Sequence, residues 1–115
     1  MHLVRYEDIS LNPIKLTDEL LKFLDLRNSS YVKNYILNHT QGIQPIKRTA
    51  YSTYRNSTNE AFKWRNNIVE KDIIDVQTGC RDSMEILGYN PITNIPENRF
   101  NESYEILGPL LGEHL

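Results

Sequence analysis

One cysteine in 115 residues, Cys80, excludes an internal disulfide and with it a small disulfide-stapled secreted framework. Alone on a helical pattern, Cys80 reads as a small buried hydrophobe. His2, His39 and His114 lie far apart, so no metal-ligand spacing is present and no metal is expected. No apolar run approaches the ~20 residues that a membrane span needs. No leader is visible either, because Met1 is followed at once by His-Leu-Val-Arg-Tyr. A protein of the secretory lumen should carry such a segment upstream, which leaves a cytosolic protein or a truncated one. Charge of one sign is also missing. A net charge of −2 and a pI near 5.9 give no general basic field, so nucleic acid is not an expected partner. Phosphate loops of the Gly-x-x-x-x-Gly-Lys type, Gly-x-Gly-x-x-Gly fingerprints and Gly-x-Ser-x-Gly elbows are all absent.

What is present suits a folded segment. Hydrophobic residues make up 39%, charged residues 24%, and mean hydropathy is −0.53. Residues 3–9 read as a short strand, followed by an Asn12-Pro13 helix start in which Asn12 can cap an orphan amide. Ile14, Leu20, Leu21 and Leu24 recur at helical spacing, predicting an amphipathic helix over 13–25 packed on a sheet. Ser30 reads as the cap of a second helix over about 31–39. Gly42 and Pro45 mark 40–50 as a loop, 51–58 read as an ordered polar loop, and 59–65 as a short helical piece.

The strongest helical signal covers about 69–87. Ile73, Val76, Cys80, Met84 and Leu87 share one face, and Lys71, Asp75, Thr78, Asp82 and Glu85 share the other. Gly79 in the middle costs about 1 kcal/mol relative to Ala. Gly88 stands where a left-handed C-cap belongs, and Pro91 prevents continuation. Residues 90–105 look irregular and 106–115 read as a loose tail.

Two clusters of side chains could carry chemistry. Arg5-Tyr6-Glu7-Asp8 would close a strand whose carboxyl end faces a ligand, with Tyr6 able to stack on a flat ring. Read on the residues alone, Tyr6 is as well a core aromatic and Arg5 the local partner of Glu7 or Asp8. Ser52, Thr53, Arg55, Ser57 and Thr58 combine hydroxyls with a guanidinium fork, which suits a phosphate as well as a solvated loop. Trp64 reads as a core anchor and Arg65 as a surface or cation–π partner. Four Asn-x-Ser/Thr triplets, at Asn28, Asn38, Asn56 and Asn101, exceed the about 1.5 that this composition gives by chance and favour a secretory lumen.

Several blocks in this order resemble the Golgi carbohydrate 6-O-sulfotransferases, nearest the chondroitin 6-sulfotransferase branch. They are Arg5-Tyr6-Glu7-Asp8-Ile9 with Leu11-Asn12-Pro13, Lys22-Phe23-Leu24-Asp25-Leu26, and Tyr51 to Thr58. Trp64-Arg65 and Cys80 through Met84 to Leu87-Gly88-Tyr89 complete the set. The family's helix ends in Phe-Leu-Gly or similar, and Phe23-Leu24-Asp25 resembles that end here. The resemblance implies an α/β fold: the C-terminal portion of a P-loop-like sulfotransferase domain, mostly helical here with one N-terminal core strand. Residues 1–105 would be that incomplete domain part.

By the same resemblance, the complete protein would transfer a sulfuryl group from 3′-phosphoadenosine 5′-phosphosulfate to the 6-hydroxyl of GalNAc, Gal or GlcNAc in a glycan. Tyr6 would contact the donor's adenine, and Arg55 with Ser52 its 3′-phosphate. The partners implied are a glycan acceptor and the nucleotide donor. The place is the lumenal side of the Golgi membrane, reached through an N-terminal anchor that this chain does not contain. The family's 5′-phosphosulfate loop has no counterpart here, so this polypeptide alone is expected to be inactive. Two alternatives stay open: a non-catalytic remnant acting as a binding module, and a sulfotransferase of a neighbouring subfamily.

Overall fold

The computed structural model describes residues 1–41, 53–101 and 103–110. Among them are eight helices and two isolated bridges, Gln41 with Asn56 and Tyr89 with Leu107, but no strand. The chain divides into two compact units, His2–Phe62 and Lys63–Leu115.

In the first unit the expected strand over 3–9 is replaced, from its fourth residue, by a helix. Arg5 is extended (φ −88°, ψ 147°), and α1 (Tyr6–Leu11) begins directly after it. The cause is local. Arg5 Nε and Nη2 donate to Asp8 Oδ2 and Oδ1 at 2.6 and 3.2 Å, and this fork at i,i+3 closes the first turn. Glu7 and Asp8 place negative charge at the positive end of the helix. An isolated strand would leave its N–H and C=O groups without a neighbour to take them, whereas a helix satisfies them internally.

Asn12 (φ −134°, ψ 60°) breaks the chain before α2 (Pro13–Phe23), and Pro13 takes the first helical position as its missing N–H allows. The expected cap bond from the Asn12 side chain is not made. The end of α2 is more informative. Leu26 N–H donates to the Leu21 carbonyl (2.8 Å) and Asp25 N–H to that of Lys22 (3.1 Å), with Asp25 left-handed at φ 54°. This is the paired closure that usually recruits glycine. Exposed pairs Lys15–Glu19 and Lys22–Asp18 run along the helix. Lys22, then Asn28, hold the Asp18 carboxyl below its ordinary value, and Asp18 raises the Lys22 ammonium. A depressed carboxylate stabilises above its unfolded pKa and loses that contribution as pH falls through the folded one. The fully exposed pair makes this effect small.

The cap of α3 (Ser30–Thr40) is Ser29, one residue before the expected Ser30, with its hydroxyl accepting from Val32 N–H at 3.4 Å. Asn56 caps α4 (Ser57–Glu60) by accepting from Asn59 N–H at 3.1 Å. Helix α1 packs on α2 and α4, and α2 on α3. What this unit buries is mostly polar: Arg5, Glu7 and Ser10 beside Ala61. No residue of α2 or α3 is fully buried.

The second unit has the apolar core. Ile73, Ile92, Ile95 and Ile106 form it, with Trp64, Ile68, Tyr89 and Tyr104 packed against them. Trp64 is thus a core anchor, as its type suggested. Ile106 is buried and Gly108 N–H reaches the Gly88 carbonyl at 2.7 Å, so the start of the segment read as a tail is tied into the fold. Residues 111–115 lie outside the described residues.

The single helix expected over 69–87 is two: α6 (Glu70–Gly79) and α7 (Arg81–Ile86). Cys80 (φ −108°, ψ 19°) sits at the break, after a glycine with no atom within 4 Å of where a Cβ would lie. The apolar stripe therefore does not stay on one face. Ile73 is buried, Met84 and Leu87 are half-buried, and Val76 and Cys80 are exposed. Past α7, Gly88 (φ 68°) makes the expected left-handed cap, with Tyr89 N–H to Met84 carbonyl at 2.8 Å and Gly88 N–H to Glu85 carbonyl at 3.1 Å. Gln77 binds the Ile92 backbone on both sides, accepting its N–H at 2.6 Å and donating to its carbonyl at 3.2 Å.

Arg65 corrects a second expectation, since it is buried and structural. It opens its guanidinium onto the carbonyls of Asn98, Arg99 and Asn101, each at 2.8 Å. Arg99 answers by donating to the carbonyls of Arg65 (3.0 Å) and Ile68. Each arginine caps the helix end from which the other departs, joining α5 (Trp64–Asn67) to α8 (Ile95–Asn98).

Arg65→Ala should cost about 3 kcal/mol, because it removes three hydrogen bonds made by a buried charged donor, and Arg65→Lys should recover little of it. Chemical denaturation followed by tryptophan fluorescence checks this; a midpoint within error of wild type would remove the clamp from the fold's foundations. Asp25→Gly should add about 1 kcal/mol by relieving a left-handed non-glycine, and Gly88→Ala should lose about as much. Thermal melts showing no opposed shift would refute the two closures.

Candidate functional site

Residues 2–62 hold both sequence-predicted cofactor contacts that can be placed. Tyr6 is the first residue of α1 and is 58% exposed, so it is an available ring and not a core aromatic. Its neighbours are fixed on either side: Arg5 is locked to Asp8, and Glu7 is buried. The ion pair that residue types alone suggested is therefore real, and it leaves Tyr6 pointing away from the buried face.

Arg55 lies in the segment between the described residue 53 and α4. Its backbone N–H donates to the His39 carbonyl at 3.0 Å, and its Nη1 to the Tyr54 carbonyl at 2.9 Å. Beside it an aromatic stack fixes the segment. The His39 ring lies 3.9 Å from Tyr35 and 4.2 Å from Tyr54, near parallel to both. His39 Nδ1 meets the Tyr35 carbonyl at 2.8 Å, and the Gln41–Asn56 bridge adds a further tie. The reasoning from sequence missed this stack. Tyr35 and His39 at i,i+4 on a helix were its visible signal; Tyr54 was not legible, because only the return of the chain brings it over His39. Ser52 lies outside the described residues, as does Tyr51.

A cavity of about 480 Å³ in the same unit is lined by Asn12 to Lys15, Leu37, Thr40, Gln41, Ser57 and Thr58, among others. Neither Tyr6 nor Arg55 lines it. It nevertheless uses two hydroxyls of the loop singled out for phosphate chemistry, Ser57 and Thr58. It sets them opposite the start of α2, where the amides of Ile14 and Lys15 have no partner four residues back. Hydroxyls, first-turn amides and the Lys15 ammonium together can accept an anionic oxygen cluster such as a phosphate or sulfate. Lys15 and Thr40 were not foreseen, though the Asn12-Pro13 helix start marked the place. Since α1 packs on α4, the elements that open with Tyr6 and follow Arg55 are in contact.

The acceptor triplets differ in setting. Asn28 is exposed, accepting from Ser29 N–H (2.8 Å) and donating to Asp18 (3.1 Å). Asn38 lies inside α3, with Thr40 Oγ1 bonded to the Ile36 carbonyl at 2.8 Å. Asn56 is half-buried as the α4 cap. Asn101 is exposed, and its Oδ1 accepts from Ser103 N–H (3.0 Å) and Oγ (2.6 Å). Among the described residues no group of three or more His, Cys, Asp or Glu gathers as metal ligands.

Residues 1–88 match the sulfotransferase domain family. The chain is 36% identical over 107 residues to carbohydrate sulfotransferase 1 of Mus musculus, a match covering 84% of this chain and 26% of the mouse protein. It is 34% identical over 87 residues to carbohydrate sulfotransferase 3 of Tetronarce californica, covering 76% and 20%. To carbohydrate sulfotransferase 2 of Homo sapiens it is 32% identical over 94 residues, covering 82% and 18%. The chain thus spans about a quarter or less of the length of these curated relatives. No solved structure gives a significant match.

Proposed function

The chain belongs to the sulfotransferase domain family, and from that premise we propose that it is part of an enzyme that sulfates sugars. The observation that carries this reading is the family match over residues 1–88; the names of the relatives support a carbohydrate as acceptor. The donor in this reading is 3′-phosphoadenosine 5′-phosphosulfate, and the acceptor is the 6-hydroxyl of GalNAc, Gal or GlcNAc in a glycan. The blocks 51–58 and 87–89 support the chondroitin 6-sulfotransferase branch. The acceptor oxygen forms its bond to sulfur as the sulfur–oxygen bond to the donor phosphate breaks. The acceptor's proton passes to a base, and the nucleotide bisphosphate leaves. Such a reaction is accelerated chiefly by holding the two partners in line and by stabilising charge on the transferring group.

Within that scheme this segment supplies donor contacts. The exposed ring of Tyr6 at the start of α1 fits an adenine face. Arg55, held by the His39 stack, is assigned to the 3′-phosphate together with Ser52. The catalytic base and the 5′-phosphosulfate loop are not among the residues we assign. We place the complete enzyme on the lumenal side of the Golgi membrane. Among the described residues no helix is long and apolar enough to cross a membrane. A lumenal setting also makes the four acceptor triplets candidates for N-glycans.

In the complete enzyme, Tyr6→Ala should weaken binding of adenosine 3′,5′-bisphosphate about tenfold, with Tyr6→Phe close to wild type, as a stacking role requires. Isothermal titration checks it, and an unchanged Ala affinity would remove Tyr6 from the donor site. Expression through a secretory lumen should place glycans on Asn28 and Asn101, with Asn38 bare inside its helix and Asn56 less occupied than Asn28. Peptide mapping after enzymatic deglycosylation reads the four positions directly, and a fully occupied Asn38 would contradict the α3 assignment.

A further inference from the structure

The end of α2 and the start of α3 carry an apolar surface left open among the described residues. Every residue from 22 to 31 is exposed. Phe23, Leu24, Leu26, Tyr31 and Tyr35 each show more than half of their area, and Tyr31 is 76% exposed. Tyr31 and Tyr35, at i,i+4 on α3, share one face of that helix. An apolar patch of this kind on a folded unit marks an interaction.

Asn28 stands inside this surface, two residues after Leu26 and three before Tyr31. Its amide is held at both ends. Oδ1 accepts from Ser29 N–H at 2.8 Å, and Nδ2 donates to Asp18 Oδ1 at 3.1 Å. Nδ2 has two hydrogens, so one serves Asp18 and one is left for a substituent. A glycan on this nitrogen would have a fixed root, tied to α2 through Asp18 and to the cap of α3 through Ser29. Three residues span at most about 11 Å, so Leu26 and Tyr31 both lie within reach of its first two sugars.

The charges on the patch select the occupant. Lys22, Asp25 and Arg27 are exposed among the apolar side chains, and a dry protein contact would have to desolvate all three. A sugar ring fits such ground without that cost. Its C–H face takes an aromatic or aliphatic side chain, while the hydroxyls at its edge meet charges and water.

We infer that this face is covered by the chain's own N-glycan, whose first N-acetylglucosamine, attached to Asn28, lies on Tyr31 and Leu26. The glycan comes from a lipid-pyrophosphate-linked oligosaccharide. Nδ2 bonds to the sugar's C1 as the bond from C1 to the pyrophosphate breaks, Nδ2 gives up one proton, and the lipid pyrophosphate leaves. The inference rests on the reading of Asn28 as an occupied acceptor given above. It adds what the glycan does, which is to close the face and brace α2 against α3.

Ser30→Ala tests it in the complete enzyme expressed through a secretory lumen. The variant removes the hydroxyl of the acceptor triplet and leaves both hydrogen bonds of Asn28 in place. It should melt about 4 °C below wild type and bind more of an apolar dye such as anilinonaphthalene sulfonate. Ser30→Thr, which restores the triplet, should melt with wild type. In a Tyr31→Ala background, which keeps the triplet, adding Ser30→Ala should shift melting by less than about 1 °C, because the ring under the sugar is gone. Asn28 occupied, with equal melting of wild type and Ser30→Ala, overturns the covering and leaves the acceptor reading standing. Asn28 bare by peptide mapping overturns both. A full-sized loss in the Tyr31→Ala background puts the glycan elsewhere, and glycosylated wild type that dimerises until Leu26→Asp is introduced gives the face to a second copy; either result overturns the inference.

Discussion

Helix ends are the constraint on which this structure depends. Eight short helices among the described residues carry many orphan amides and carbonyls, and no sheet is there to absorb them. The solutions are specific. Arg65 and Arg99 exchange guanidinium bonds with each other's backbone, which closes α5 and α8 in one device. Asp25 and Gly88 turn left-handed so that the last carbonyls of α2 and α7 are met. Gln77 offers Ile92 an amide in place of a neighbouring strand. Without the Arg65–Arg99, Gly88 and Gln77 devices the four buried isoleucines of the second unit would not hold their positions, because so small an apolar core cannot offset stranded buried polar groups.

Function follows the same division. The parts that hold the fold are buried and already paired: Arg5 with Asp8, Arg65 with three carbonyls. The positions we propose for ligand contact sit on turns and at the first residues of helices. Tyr6 is exposed because Arg5 and Glu7 on either side turn inward. Arg55 is placed because His39 and Tyr54 stack beside it. Membership of the sulfotransferase domain family gives these positions a shared context.

How far this could be read in advance depends on the range of each signal. The Pro13 start, the helix over 30–40 and the Gly88 cap were all legible, because caps and turns are decided within about four residues. Asp25 was not legible as a left-handed residue, since its φ of 54° is a conformation that glycine, not aspartate, takes without strain. The 3–9 segment was misread because a short apolar run with Tyr and Ile does not distinguish strand from helix until its hydrogen-bond partners are known. Cys80 was misread because a continuous apolar stripe was assumed across Gly79, where the helix breaks. The burial of Arg65 was invisible, since its acceptors lie more than thirty residues along the chain.

The sequence by itself determined the local chemistry: where helices start and stop, which loop carries hydroxyls beside Arg55, which triplets could accept a glycan, and which family the ordered blocks resemble. These depend on neighbours in the chain, where side-chain type and spacing are sufficient. Only the tertiary structure decided which cations are structural and which rings are free. It buried Arg65 and left Tyr6 exposed; it joined Ser57 and Thr58 to the start of α2, and it brought Trp64 and Tyr89 onto one core. Those outcomes turn on desolvation and on contacts between residues distant in the chain, and a linear pattern carries neither.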